Sequence, residues 1–264
     1  MKHLQYFVSI LLLLMVLQVS DAMAGTPVQP KITTYDFKNF NSLTLSGSVK
    51  VYFTQGKNYS IKVEESNSPY LMTIVELKGQ VLSIKTKNTR RINIRANSPV
   101  VRITAPQLVG IHASGAVAVN ISNLKTADFN INTSGASKLM FNDIACNKML
   151  IGCSGASKLN MGKISCPTIN LNSSGACEMN MTIVNNKNAV MTFSGASKGS
   201  LKYKGDHLKM QSSGAGKINI NVDCKLLEAH NSGAAKIMIS GTADKTEIKS
   251  SGASKINTSE LNKF

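Results

Sequence analysis

Apolar residues recur at every tenth position from Ile111 to Leu201, through Ile121, Ile131, Phe141, Ile151, Met161, Leu171, Met181 and Met191. Around these positions apolar and polar residues alternate, as in Phe129 and Ile131, Leu139 and Phe141, Ile169 and Leu171, or Ile218 and Ile220. That alternation is the period-two signature of a strand with one buried face. Two such strands fill each twenty residues, and their apolar columns can be buried together only if successive coils stack in parallel at about 4.8 Å. The pattern predicts an all-β chain: a single-stranded parallel β-helix of 19–20 residue coils with two main strands per coil and no helices.

A second repeat fixes the coil boundaries. Ser-Gly-Ala begins at Ser114, Ser134, Ser154, Ser174, Ser194, Ser213, Ser232 and Ser251, at spacings of 20, 20, 20, 20, 19, 19 and 19. Glycine turns a chain at positive φ without steric cost, so Gly115, Gly135, Gly155, Gly175, Gly195, Gly214, Gly233 and Gly252 are expected to form the corner. The Ser is expected to bond neighbouring backbone there. The Ala two residues after each Ser, from Ala116 to Ala253, is expected to point into a narrow interior. Eight copies of Ser-Gly without a Ser-His-acid constellation exclude a reading as nucleophile elbows.

Between residues 43 and 105 the pattern is weaker: Leu43 and Leu45, Val49, Val51 and Phe53, Ile61 and Val63, Leu82 and Ile84, Ile92 and Ile94, Val101 and Ile103. These positions are expected to form irregular first coils that continue the stack and cap its open edge.

The segment from Phe40 through Leu43-Thr-Leu-Ser-Gly-Ser-Val-Lys-Val-Tyr-Phe-Thr-Gln-Gly56, then Ile103-Thr-Ala-Pro-Gln-Leu108, then the Ser-Gly-Ala-Ser-Lys repeats, resembles the "putative auto-transporter adhesin, head GIN domain" family over about residues 36–258. The resemblance implies a β-helix in the envelope of Gram-negative anaerobes with an adhesive role. No translocator barrel is recognisable in the sequence.

Lys2 and His3 precede an apolar run from Tyr6 to Val19, and Ala22-Met23-Ala24 supplies small residues for cleavage before Gly25. Residues 1–24 are thus expected to be a signal peptide, too short in its apolar part to span a membrane. A linker at 25–35, the domain at 36–258 (irregular to 105, regular from 106) and a tail at 259–264 complete the expected organisation. The protein is expected to be exported, to the periplasm, cell surface or extracellular space, with no transmembrane segment after cleavage. The remaining chain keeps 29 Lys+Arg against 13 Asp+Glu, so the net charge stays at +16. With aromatics at 5% and no Trp, the core must be built from small aliphatic side chains and Met.

Candidate chemistry is sparse. Polysaccharide-cleaving β-helices need acids converging on one groove, often with Ca²⁺. Asp206 and Asp244 share a register two coils apart, whereas Asp128, Asp143 and Asp223 fall elsewhere. His112 and His230 share a register six coils apart, about 29 Å at the strand spacing, and each is expected to be a solvated, solitary side chain. The expectation is therefore no catalysis, no cofactor and no metal. Of five cysteines, Cys146, Cys166 and Cys224 lie eight residues before a Ser-Gly-Ala, and Cys146 and Cys166 are expected to stack as buried free thiols. Cys153 and Cys177 show no such register.

One surface column stands out. Four residues after each Ser lie Ala118, Lys138, Lys158, Glu178, Lys198, Lys217, Lys236 and Lys255. Lysine there keeps a repeat soluble and deters edge pairing. A ladder of Lys138, Lys158, Lys198, Lys217, Lys236 and Lys255 also suits an extended polyanion, such as an acidic polysaccharide or lipopolysaccharide. Nucleic acid is not expected, given the export signal and few aromatics. The sequence reads best as a non-catalytic, adhesin-like binding module; a carbohydrate-active enzyme on the same fold and a purely structural envelope protein are the alternatives.

Overall fold

The computed structural model describes residues 31–89 and 97–263. The expected signal peptide, the linker up to residue 30, and Ile92 and Ile94 lie outside the described residues. The described chain forms nineteen strands joined in one sheet, with no helix among the described residues.

The regular part is built as the column pattern requires. Strands β8 (Gly110–Gly115), β10 (Asp128–Thr133), β12 (Lys148–Cys153) and β14 (Thr168–Ser173) stack in parallel on one face; β9 (Ala118–Lys125), β11 (Lys138–Ala145) and β13 (Lys158–Ser165) stack on the other. From β15 (Glu178–Phe193) onward the two strands of a coil fuse into one continuous strand, in β16 (Lys198–Ser212), β17 (Lys217–Asn231) and β18 (Lys236–Ser250). The chain closes with β19 (Lys255–Lys263). All ten residues of the Ile111 to Leu201 column are buried.

The fusion of strands coincides with the shortening of the coil from 20 to 19 residues. In β11 and β13 two exposed residues separate the last apolar positions, Asn142 and Asp143 or Gly162 and Lys163. In β15 one residue is dropped there, where the register shifts between Met161 and Lys163. The same coil regains one residue at Asn185, whose φ is 53°, and later coils do not. Asn186 seals this corner: buried, it donates to the Cys166 carbonyl at 2.7 Å, while its Oδ1 lies 2.8 Å from the Tyr203 hydroxyl.

The first strands are β1 (Ile32–Tyr35), β2 (Ser42–Gly47), β3 (Lys50–Gln55), β4 (Ser60–Glu64), β5 (Leu71–Lys78), β6 (Val81–Asn88) and β7 (Val100–Ala105). They correct the expectation of coils stacked in chain order. β2 lies between β6 and β8, and β3 between β7 and β9, all parallel. The coil made by β6 and β7 thus sits outside the one that precedes it in sequence. Beyond it the pairing turns antiparallel, β5 on β6, β4 on β7 and β1 on β4. These antiparallel edges end the parallel stack, and Phe40, fully buried, packs edge-on against Tyr59 at 5.0 Å between ring centres. The expected linker therefore includes a strand at Ile32–Tyr35, and β19 extends into the expected tail.

The corner also differs from expectation. Every Ala of Ser-Gly-Ala, including Ala136, Ala156 and Ala176, is exposed. The inward positions are those flanking the triplet: Ala113, Thr133, Cys153 and Ser173 before it, and Val117, Ser137, Ser157 and Cys177 after it. Three consecutive outward residues fit because the corner itself is hydrogen-bonded coil to coil, the Ala136 amide donating to the Gly115 carbonyl and the Ala156 amide to that of Gly135, at 2.9 and 2.8 Å. The Ser does bond backbone as expected: Ser154 Oγ donates to the Thr133 carbonyl of the preceding coil at 3.1 Å. Gly115, Gly135, Gly155 and Gly252 have positive φ. At Gly175, Gly195, Gly214 and Gly233 the requirement is space instead, because a Cβ there would strike the carbonyl of the glycine one coil below.

Candidate functional site

Alternation along the second face sends the position four after each Ser outward, and the parallel register then lines these positions up. Ala118, Lys138, Lys158, Glu178, Lys198, Lys217, Lys236 and Lys255 are successive Cα partners without a slip. Lys50 joins the column below Ala118. All the lysines of the second half, from Lys198 to Lys255, are exposed. Neighbouring charges about 4.8 Å apart in water repel by somewhat under 1 kcal/mol before screening. Glu178 relieves part of this by bonding Lys158, and that bond holds its carboxyl below the usual carboxylate range.

Two residues further along, a second outward column runs beside the first: Asn120, Met140, Asn160, Asn180, Ser200, Asn219, Met238 and Asn257. The pattern of apolar spacing did not single it out, although its period is the same. Asn180 donates to Asn160 across one coil step at 3.0 Å. Over the last coils this column and the next, with Ser200, Asn219, Asn221, Met238 and Asn257, line an open trough of about 230 Å³. At the start of the column the Arg102 guanidinium lies 5.0 Å and the Lys50 ammonium 5.3 Å from the centre of the Tyr52 ring, both held on β3 and its neighbour β7. The face thus pairs a line of exposed cations with a column of amides that both donate and accept, interrupted by Met140, Ser200 and Met238.

The acids do not assemble a comparable site. Asp206, Asp223 and Asp244 line one open cavity of about 480 Å³, closer together than the register reading placed Asp223. Two of them are taken up by ion pairs, Asp206 with Lys225 at 2.8 Å and Asp223 with Lys204 at 2.7 Å. The one trio of His, Cys, Asp or Glu among the described residues whose ligand atoms all lie within 4.8 Å of one another is Glu228, His230 and Glu247. His230 is therefore not the solitary side chain expected. His112 is exposed in the same column.

Cys146 and Cys166 are free and buried as expected, with their sulfurs 2.9 Å apart. The thiol–thiol contact and burial hold Cys146 well above the ordinary thiol range. The disulfide joins Cys153 to Cys177, Cα to Cα 6.6 Å, a pairing the register did not suggest. It bridges the inward position before one corner to the inward position after the next. One coil on, Ser173 and Ser197 occupy the same two positions and share a hydrogen bond at 2.7 Å.

The family model described as "Putative auto-transporter adhesin, head GIN domain" matches residues 39–203 and 193–263. No curated protein matches the sequence. Among solved structures, a putative adhesin from Parabacteroides distasonis is similar with a TM-score of 0.70 at 16% identity, over 86% of this chain and 97% of that one. A putative lipid binding protein from the same species gives 0.65 at 19%, over 88% and 97%, and a putative adhesin from Bacteroides fragilis 0.56 at 17%, over 87% and 97%. These likenesses establish a shared fold. With both segments of the family model covering nearly the whole described solenoid, the chain belongs to the "putative auto-transporter adhesin, head GIN domain" family.

Proposed function

We propose that this protein is an exported, non-catalytic, adhesin-like envelope module that binds a linear polyanion, an acidic glycan or lipopolysaccharide, along the lysine column. The observation that carries the proposal is the unbroken register of Lys198, Lys217, Lys236 and Lys255 beside the trough lined by Asn219 and Asn257. A polymer lying along the last coils meets one ammonium per coil from Lys198 to Lys255 and, beside it, the amides of Asn219 and Asn257 at every second coil. Charge gives the attraction and the amides bond hydroxyls. Family membership supports an adhesin-like envelope role, and the net charge of +16 favours an anionic partner.

The experiment is a glycan array at low and at physiological salt, with the parent protein and a Lys198→Glu, Lys217→Glu, Lys236→Glu variant. Acidic glycans should bind in a salt-dependent manner, and the variant should bind them more weakly with a flatter salt dependence, its circular dichroism unchanged. Glu178→Lys should bind more tightly, since it extends the run of cations from Lys138 to Lys255. No binding by the parent, or equal binding by all three, refutes the proposal and leaves lysine as a solubility device.

A further inference from the structure

On the strand face of the last coils that does not carry the lysine column lies the Glu228, His230 and Glu247 cluster. Glu228 and His230 are two apart on β17 and so project from the same side, and Glu247 on β18 is the direct register partner of Glu228. Two carboxylates stacked one coil apart repel unless a cation lies between or beside them. His230 Nε2 stands 3.4 Å from Glu247 Oε1, too poorly disposed for a hydrogen bond, and is buried with no hydrogen-bond partner. Buried polar atoms seldom stay unpartnered. Two donors each 2.0–2.1 Å from one zinc ion at the tetrahedral angle stand about 3.4 Å apart, which is the separation of His230 from Glu247, and the Glu228 donor lies within 4.8 Å of both.

We propose that Glu228, His230 and Glu247 form a binding site for a divalent transition-metal ion of borderline softness, zinc being the best fit, which clamps β17 to β18. One imidazole and two carboxylates are the ligand types that zinc accepts, with a fourth position left for water. The supporting shell is in place: His207 Nε2 lies 2.8 Å from Glu228 Oε1 and Lys209 donates to Glu228 Oε2 at 2.7 Å, which fixes that carboxylate and leaves each oxygen a second lone pair for the ion. The competitor is also evident. Lys249 Nζ bonds Glu247 at 2.5 Å, but its side chain is 68% exposed and can swing into solvent when the ion enters.

The test is calorimetric titration of the purified protein with zinc chloride, paired with the visible absorption of the cobalt(II) form. One ion per chain should bind, with cobalt bands of four-coordinate intensity. His230→Ala and Glu247→Gln should each weaken binding at least about tenfold, while His112→Ala should leave it unchanged. Lys249→Met should tighten it, because the competing ammonium is gone; an ordinary ion-pair ladder predicts no such gain. Glu247 is solvent-accessible, so its Gln variant keeps the test readable if His230→Ala perturbs folding. Absence of saturable binding, or undiminished binding in the His230 and Glu247 variants, overturns the proposal. So does loss of binding on changing His112 alone. The lysine column takes no part, and loss of glycan binding in its variants would leave the zinc result untouched.

Discussion

Replacing Gly155 by Ala should cost the solenoid about 2–4 kcal/mol, whereas replacing its neighbour Ala156 by Leu should cost within about 0.5 kcal/mol. Gly155 sits at φ +76°, where an L side chain is disfavoured by about 1 kcal/mol. A Cβ there would also stand 2.6 Å from the Gly135 carbonyl oxygen and 2.7 Å from the Gly135 nitrogen. Both are backbone atoms of the coil below and cannot rotate away, so relief requires distorting a hydrogen-bonded corner at roughly 1–3 kcal/mol. Ala156 points to solvent, and a leucine there meets no opposing wall. Gly175→Ala tests the clash alone, because Gly175 has no positive φ yet its Cβ would stand 2.1 Å from the Gly155 carbonyl oxygen, closer than the contact at Gly155. Urea unfolding followed by far-ultraviolet circular dichroism should show Gly155→Ala and Gly175→Ala each far more damaging than Ala156→Leu. Because stacked coils share energy chiefly with nearest neighbours, the loss should appear in hydrogen exchange around residues 130–180 before it appears elsewhere. A Leu at 156 as damaging as an Ala at 155 would refute the outward assignment of the Ala column and restore the narrow-interior one.

Other outcomes follow from single features. Removing the Cys153–Cys177 bond with a double Ala variant should lower stability by about 3.5 kcal/mol, the loop-entropy value for a crosslink of sequence separation 24; an unchanged urea midpoint would show the bond absent. Alkylation before and after unfolding, then after reduction, should label Cys146, Cys166 and Cys224 at the second stage and Cys153 and Cys177 only at the third. Burial, then the Asp223 and Asp244 charges, pushes the Cys224 thiol up from 9.0 to about 11. The folded state thus favours the protonated thiol, so this contribution is complete below pH 9 and declines as pH rises to about 11. A Cys224→Ala variant should show a flatter loss of stability over that window, and an identical slope would contradict the buried-thiol environment.

The coil itself was legible because it depends on one arithmetic fact. Parallel stacking converts a period of 19 or 20 into columns, and any side-chain type that recurs at that period must form a ladder. Ile111 to Leu201 declared the core and Lys138 to Lys255 the charged column for that reason. The N-terminal cap obeys no period. Leu43 and Leu45 carry the same local alternation whether β2 pairs with the next coil in sequence or lies between β6 and β8, so hydropathy could not reveal that the chain doubles back past its own first coil. Nor could it report the antiparallel turn of β4 and β5, since alternation is blind to strand direction.

At the corner the failure was one of parity. Smallness suggests burial for Ala156, but the triplet places three residues outward in succession, and the inward positions mix Thr133, Cys153, Ser173 and Phe193 before it with Ser137, Ser157, Cys177 and Ser197 after it, which carries no hydropathy signal. Those same two inward positions explain why Cys153–Cys177 was missed: their separation is one coil plus the width of the corner, 24 rather than 20, so a column comparison passes over it. The Glu228 and Glu247 pair failed for the opposite reason. Its spacing is one 19-residue coil and obeys the same arithmetic, but a single Glu pair at that spacing, beside a His that shares its column with the distant His112, is no recurring ladder. A parallel solenoid brings together residues that differ by one coil and, on the same strand, by two. Glu228, His230 and Glu247 satisfy both relations at once, and that combination of spacings marks a three-ligand cluster in such a repeat, where neither relation alone would.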